Sequence, residues 1–276
     1  MGGLLALAAC VLAGGGDFLG ALLSRRVRSV AVAGAAFAVG LFLLTAVGVP
    51  LSGGFAGSSK WLPWSVAGGV SAVAGMACYF AALSAGSMGV VAPISALGAI
   101  VPVLVGVGSG ERLSPLTLLG IVISLAGAAG ASRPELHRGT SLRPVFLAAA
   151  TAVIFGLTQT FIARGAATNA VLTLWGMRLT GVVLVTIAAV FKRSAGGLRV
   201  RDIFPIVSVG LADSGAALLF AFASQHGHLA VTAVLASLYP VVTVLLARSI
   251  LKERLTLTQT AGIVGAFLGI VLTVLG

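Results

Sequence analysis

Residues Ser224–Gly276 read SQHGHLAVTAVLASLYPVVTVLLARSILKERLTLTQTAGIVGAFLGIVLTVLG, two long apolar runs joined by one tight charged hairpin, Lys252-Glu253-Arg254. The same design occurs earlier in the chain, where Glu111-Arg112-Leu113 separates the apolar runs 88–109 and 115–132. Glu111 and Glu253 stand 142 positions apart, and that one shift, without a gap, aligns much of the two halves. It pairs Gly14 with Gly156, Gly34 with Gly176, Pro63 with Pro205, Gly68 with Gly210, Phe80 with Phe222 and Ser95 with Ser237. It also pairs Arg112-Leu113 with Arg254-Leu255, Gly120-Ile121-Val122 with Gly262-Ile263-Val264, and Gly127 with Gly269. Glycine-rich apolar sequences match by chance at single positions. A run of matches at one offset, with Glu-Arg-Leu and Gly-Ile-Val intact, indicates an internal duplication.

Composition places that duplication in a membrane. The 276 residues are 59% hydrophobic and only 8% charged, with mean hydropathy +1.15. A soluble domain carries about a quarter charged residues, so this chain has too few to coat a water-facing surface. The 38 glycines suit helices that pack closely through small residues. A net charge of +11 would suit nucleic acid, but most Lys and Arg sit in short clusters between apolar runs, where positive charge sets orientation across a bilayer. The expected partners are therefore the lipid bilayer and a small molecule, and nucleic acid is set aside. Cys10 and Cys78 fall inside apolar runs and suggest no disulfide framework. The start, Met1-Gly2-Gly3-Leu4, lacks the basic region of a signal peptide, so the first run reads as a retained helix.

A spanning helix needs roughly 20 mostly apolar residues. Ten such segments can be read: 3–23, 30–49, 64–84, 88–109, 115–132, 144–164, 170–191, 204–224, 229–250 and 256–275. Runs such as Val182-Val183-Leu184-Val185 are apolar all round, whereas a membrane β-barrel alternates polar and apolar residues. The expected fold is an all-α integral membrane protein with ten transmembrane helices. The first repeat covers 1–132, a polar linker 133–143, and the second repeat 144–276. Five helices is an odd number, so the second copy must insert upside down, which gives inverted repeats. The clusters Arg25/Arg26/Arg28, Arg133/Arg138/Arg143, Lys192/Arg193/Arg199/Arg201 and Lys252/Arg254 share one side, against Lys60, Arg112 and Arg164 on the other. The positive-inside rule makes the first side cytoplasmic and puts both termini outside.

Two repeats, a Gly-Glu-Arg-Leu-Ser hairpin at 110–114, a Lys-Glu-Arg-Leu-Thr hairpin at 252–256 and the ending Gly262-Ile263-Val264-Gly265-Ala266 resemble the EamA-type members of the drug/metabolite transporter superfamily. Tyr239-Pro240 looks like that family's helix-breaking proline. The resemblance implies a secondary carrier of amino acids, nucleotide precursors, sugars or lipid-linked intermediates, often an exporter in the bacterial inner membrane. Two features depart from the pattern. The family's Trp-Gly-Ser/Thr-Asn segment is here Gly14-Gly15-Gly16-Asp17 and, in the second repeat, Phe155-Gly156-Leu157-Thr158-Gln159. The arginine common in the second helix of each repeat survives as Arg178, but its first-repeat counterpart is Ala36.

Ionisable groups at membrane depth cost at least about 2.5–3.5 kcal/mol each and so point to function. Asp213, in Gly210-Leu211-Ala212-Asp213-Ser214-Gly215, is the leading candidate to bind a substrate amine or a proton exchanged against it. A buried carboxylate tied to neighbouring helices is the bland alternative. Asp17 aligns with Gln159 across the repeats, which suggests a symmetry-related polar pair. Arg178 is read either as a partner for a substrate carboxylate or as a structural counter-ion. Tyr79, Tyr239, Ser71, Trp175 and Gln225 complete the substrate-binding candidates, and Pro93, Pro102 and Pro240 are candidate hinges, because proline frees a backbone carbonyl one turn back. Glu111 and Glu253 read as residues that hold their own turns at the start of the next helix. His226 and His228, two apart with no carboxylate or cysteine beside them, make a poor metal site.

No Gly-x4-Gly-Lys-Ser/Thr loop is present, so ATP does not drive the chain directly. No catalytic constellation reads at membrane depth, all three histidines lying in loops, and no cofactor or metal is expected. The functional expectation is alternating-access export of amino acids or related amine-containing solutes, by a self-contained chain consistent with a monomer. A flippase of lipid-linked intermediates and a non-transporting accessory subunit are the alternatives. A solvated centre holding Asp213 would count against an accessory subunit, and a packed centre with Asp213 bridged to Arg178 would support one.

Overall fold

Lipid offers no hydrogen bonds to an exposed backbone, so a chain this apolar must satisfy its amides within each segment. In the computed structural model, which describes residues 1–24, 27, 29–55, 58–85, 94–95, 97–131, 143–191, 202–251 and 257–275, every regular element among the described residues is helical. α1 spans Gly2–Ser24 and α2 Ser29–Leu43; α2 runs on through one π-helical turn, Leu44–Gly48, and a last helical turn, Val49–Leu51. α3 covers Leu62–Ala85, α4 Ile100–Gly108, α5 Pro115–Ala131, α6 Arg143–Phe191, α7 Ile203–Gln225, α8 Leu229–Ala236, α9 Tyr239–Leu251 and α10 Leu257–Leu275. Among the described residues six stretches are long and apolar enough to cross a membrane. Shorter apolar helices cover 97–108, 115–130 and 260–273.

α6 is 49 residues long but is not one rod. Asn169 adopts an extended conformation (φ −159°, ψ 108°), and its Oδ1 accepts the amide of Leu172 at 2.9 Å, capping a second limb. Gly165 packs on Thr173 across this break, where a continuous helix would hold the two about 12 Å apart. The two limbs lie on α3 in opposite directions. Gly75 meets Phe155 of the first limb, while Gly68 and Gly69 meet Met177 and Thr180 of the second. The sequence reading ended the first of these segments at 164 and resumed at 170. In the structure the helix continues through 168 and turns on one residue, because Asn supplies both the break and the cap.

The helix breaks near the prolines lie before them. Pro102 falls in the first turn of α4, after the 3-10 turn Leu97–Ala99, and Pro240 is the second residue of α9, after the turn Ser237–Leu238. A proline in a first turn loses no helical bond, and its fixed φ suits the start of a helix. Pro93 and the Lys252-Glu253-Arg254 hairpin lie outside the described residues, as do Arg25, Arg26, Arg28, Arg133, Arg138 and Lys192–Arg201.

Contacts between the halves occur in reciprocal pairs. The Cα of Gly127 on α5 faces the carbonyl of Gly262 on α10, and the pair shifted by 142, Gly269 with Gly120, is in contact as well. A methyl on Gly120 would stand 2.8 Å from the Gly269 carbonyl oxygen, so small residues are what let these two backbones touch. Gly156 meets Gly98 and Val101, and its counterpart Gly14 meets Tyr239 and Val242. Ser71 bonds Thr158 (2.8 Å), and their counterparts, Asp213 and Gly16, are neighbours too. Such reciprocity is the mark of a pseudo-two-fold relation between repeats, with α5 and α10 paired on the axis. α8 sits deep in the molecule, its residues almost all buried.

Candidate functional site

Three helices meet around Arg178. The second limb of α6 supplies the arginine, α7 supplies Asp213 and Ser214, and α2 supplies Phe37 and Gly40. Nη1 of Arg178 stands 2.7 Å from Oδ2 of Asp213, an ion pair by distance although the approach is off the line that a hydrogen bond requires. The guanidinium carbon also lies 5.0 Å from the Phe37 ring centroid, a cation–π distance. The helix glycine Gly40 leaves the room: a Cβ there would overlap Ser214 and press on Arg178. Nε of Arg178, Oδ2 of Asp213 and Oγ of Ser214 are buried without hydrogen-bond partners.

The pair is asymmetric. The Arg178 side chain is 9% exposed and that of Asp213 46%. With Oδ2 turned to the arginine and buried, it is the rest of the carboxylate that faces open space. Asp17 of α1 is exposed as well, although it lies about 22 Å along the helix from Gly2 at 1.5 Å per residue. It is within electrostatic range of Asp213, and the hydroxyls of Tyr79 and Tyr239 are within range of Asp17. Gly16 allows this gathering, since α1 crosses α7 there against Ala212 and Asp213. Two carboxyl groups and one guanidinium gather here, and a carboxyl group beyond the one paired with the arginine can receive a cation or the amine of a zwitterion.

Beside it is a cavity of about 180 Å³, lined by Ser95, Gly98, Ala99, Phe155, Gly156, Thr158, Gln159, Ser237 and Tyr239. Ser95 Oγ and Gln159 Oε1 are buried there without partners, so they remain free for a solute or water. Ser95 and Ser237 are repeat counterparts, brought to one void by the breaks ahead of α4 and α9. In the sequence the pair is visible only as a match at the repeat offset. Polar residues at one repeat position beside helix-breaking prolines were the signal for a site.

Ser71 bonds Thr158 and the Gly68 carbonyl (2.9 Å), so it crosses from α3 to α6 close to this cavity. Tyr79 packs on Phe155 with ring centroids 6.2 Å apart. Two candidates lie elsewhere. The Trp175 indole N–H donates to Thr45 Oγ1 at 2.9 Å and its ring meets Phe55 edge-on at 4.9 Å, which ties α6 to the π-helical turn of α2. Nε2 of Gln225 donates to the carbonyl of Ala166, joining the end of α7 to α6. His226 bonds its own helix at the Phe222 carbonyl (2.8 Å). Among the described residues no group of three His, Cys, Asp or Glu side chains gathers to hold a metal.

The model of a family described as the EamA-like transporter family matches twice, over residues 1–133 and 142–275. A solved structure described only as "Crystal structure of protein" superposes with TM-score 0.84 at 19% identity, covering 99% of this chain and 96% of that one. At that identity the likeness concerns the fold alone. No curated protein matches the chain by sequence.

Proposed function

Because the chain belongs to the EamA-like transporter family, a multi-pass membrane transporter of small solutes within the drug/metabolite transporter superfamily, we propose that it moves amine-bearing solutes, amino acids among them, by alternating access. The reading takes ten spans in two inverted repeats, 1–132 and 144–276 around a 133–143 linker, in a bacterial inner membrane with both termini outside. The exporting direction and a functional monomer belong to the same proposal.

The observation that carries it is the half-open ion pair at the repeat interface. Asp213 is bridged to Arg178, which alone would suit a structural counter-ion. Yet its side chain is 46% exposed, and the exposed Asp17 lies within its electrostatic range. Charges that serve only to hold helices together have no need of open space beside them; an amine arriving from water does. In this reading Asp17 and the free edge of Asp213 take the substrate ammonium, Arg178 faces its carboxylate, and Gln159, Tyr79, Tyr239 and Ser71 line the site. Pro102 and Pro240, with Pro93, mark the hinges on which the segments around the cavity rock. Proteoliposome counterflow with a panel of amino acids, amines and nucleosides tests it. Accumulation of amine-bearing solutes by wild type, lost in Asp17→Asn, is the expected result. Transport by Asp17→Asn equal to wild type would remove the amine site, and a wild type that moves none of the panel would move a lipid-linked substrate or an accessory role ahead.

A further inference from the structure

α4 ends in a sharp, specified turn. Gly110 has φ +95°, a conformation that favours glycine, and the amides of Gly110 and Glu111 bond back to the carbonyls of Val107 (3.0 Å) and Gly106 (3.0 Å). This Schellman cap fixes the residue after the glycine in space. That residue is Glu111, and its carboxylate does not serve its own hairpin as the sequence suggested. Oε1 accepts the amide of Leu229 at 2.6 Å and Oε2 that of Ala230 at 3.1 Å. These are the first two amides of α8, a helix of the other repeat. His228, at the N-cap of α8, gives no side-chain cap of its own, so the cap comes from Glu111 across the repeat interface. Gly106 is the clearance for it, since a Cβ there would strike the Glu111 carboxylate.

The capped helix leads straight to the cavity: α8 is nearly all buried, and the residues just after it include Ser237 and Tyr239 of the lining. Around the same end of the bundle, which holds Gly2, Arg164 reaches Ser109 (2.8 Å) and Gln225 holds Ala166. The contact is therefore local, charge-assisted, between repeats, and placed at the Gly2 end of the bundle, one short helix away from the cavity. Resting on the alternating-access reading, we propose that Glu111 is a latch: its bonds to the start of α8 hold the Gly2 face shut and position Ser237 and Tyr239, and they break when that face opens.

Side-specific labelling tests this without any solute, so a wrong solute class would leave the result untouched and would show only in the flux assay. A reporter, Ser237→Cys in a Cys10→Ala/Cys78→Ala background, is exposed to a membrane-impermeant methanethiosulfonate from either side of oriented proteoliposomes. Glu111→Ala should raise the labelling rate about tenfold from the side of the Gly2 face and not from the other. Leu229→Pro removes one of the two donors while leaving a helix start that proline suits, with His228 already extended ahead of it (φ −63°, ψ 131°). It should raise the rate on the same side, and adding it to Glu111→Ala should give no further increase. Unchanged labelling, equal increases from both sides, or additive effects would overturn the latch. Failure of both variants to fold would overturn it too, because the bonds would then be a permanent structural cap.

Discussion

Neutralising Asp213 should damage the protein through Arg178 before it damages any solute contact. In Asp213→Asn the guanidinium keeps its charge, its 9% exposure and the Phe37 ring, but loses the oxygen at 2.7 Å. Charge centres about 4 Å apart interact by roughly 4 kcal/mol at an effective dielectric near 20 and by about 1 kcal/mol in water. The carboxylate is 46% exposed, so the loss belongs between these limits, about 1–3 kcal/mol, below the 3–5 kcal/mol typical of breaking a fully buried pair. For a chain of this size that corresponds to a melting point lower by about 2–5 °C in detergent. The cause is an orphaned cation, so removing it should repair the damage. Arg178→Ala/Asp213→Asn should recover at least half of the lost melting temperature while counterflow stays abolished. Thermal unfolding and counterflow on the same three preparations read both quantities. A double variant no more stable than Asp213→Asn, or Asp213→Asn transporting at the wild-type rate, would refute the argument.

Asp17→Asn should leave the melting point within about 2 °C of wild type, since among the described residues no ion pair of Asp17 is broken, while amine counterflow falls at least tenfold; a large stability loss without transport loss would reverse the assignment. Gly127→Val should force α5 and α10 apart, because its Cβ would overlap the backbone of Gly262 and Ala266, and it should lower yield and melting point more than any site variant. Gln225→Ala strands the Ala166 carbonyl, which should cost about 1 kcal/mol in unfolding measurements, and initial transport rates should stay within about twofold of wild type. Trp175→Phe, which removes the donor to Thr45 and part of the ring packed near Phe55, should behave in the same way.

The two hairpins at one offset made the duplication legible, and with it the reciprocal helix contacts, because symmetry carries one contact onto another. The α5–α10 glycine contacts could have been deduced from Gly120, Gly127, Gly262 and Gly269 alone. The Arg178–Asp213 pair could not. Thirty-five positions and a chain segment outside the described residues separate the two, and whether they meet depends on the rotation of α6 and α7 about their axes, which helices apolar all round do not reveal. The symmetry is broken there too, since the counterparts of Arg178 and Asp213 are Ala36 and Ser71. Glu111 was misread for a related reason. A glutamate after a helix suggests a cap nearby, and local spacing cannot point to amides 118 positions away. The repeat offset offers the lesson in both cases. Where the halves agree, as in Ser95 with Ser237 or Gly127 with Gly269, the shared residues build the scaffold and the void. Where they differ, as in Ala36 against Arg178 or Ser71 against Asp213, one half has placed charge in a membrane that makes charge costly. Duplication alone would have left both halves charged or both uncharged at those positions. In a repeat transporter the mismatched pairs are therefore the first places to look for the substrate.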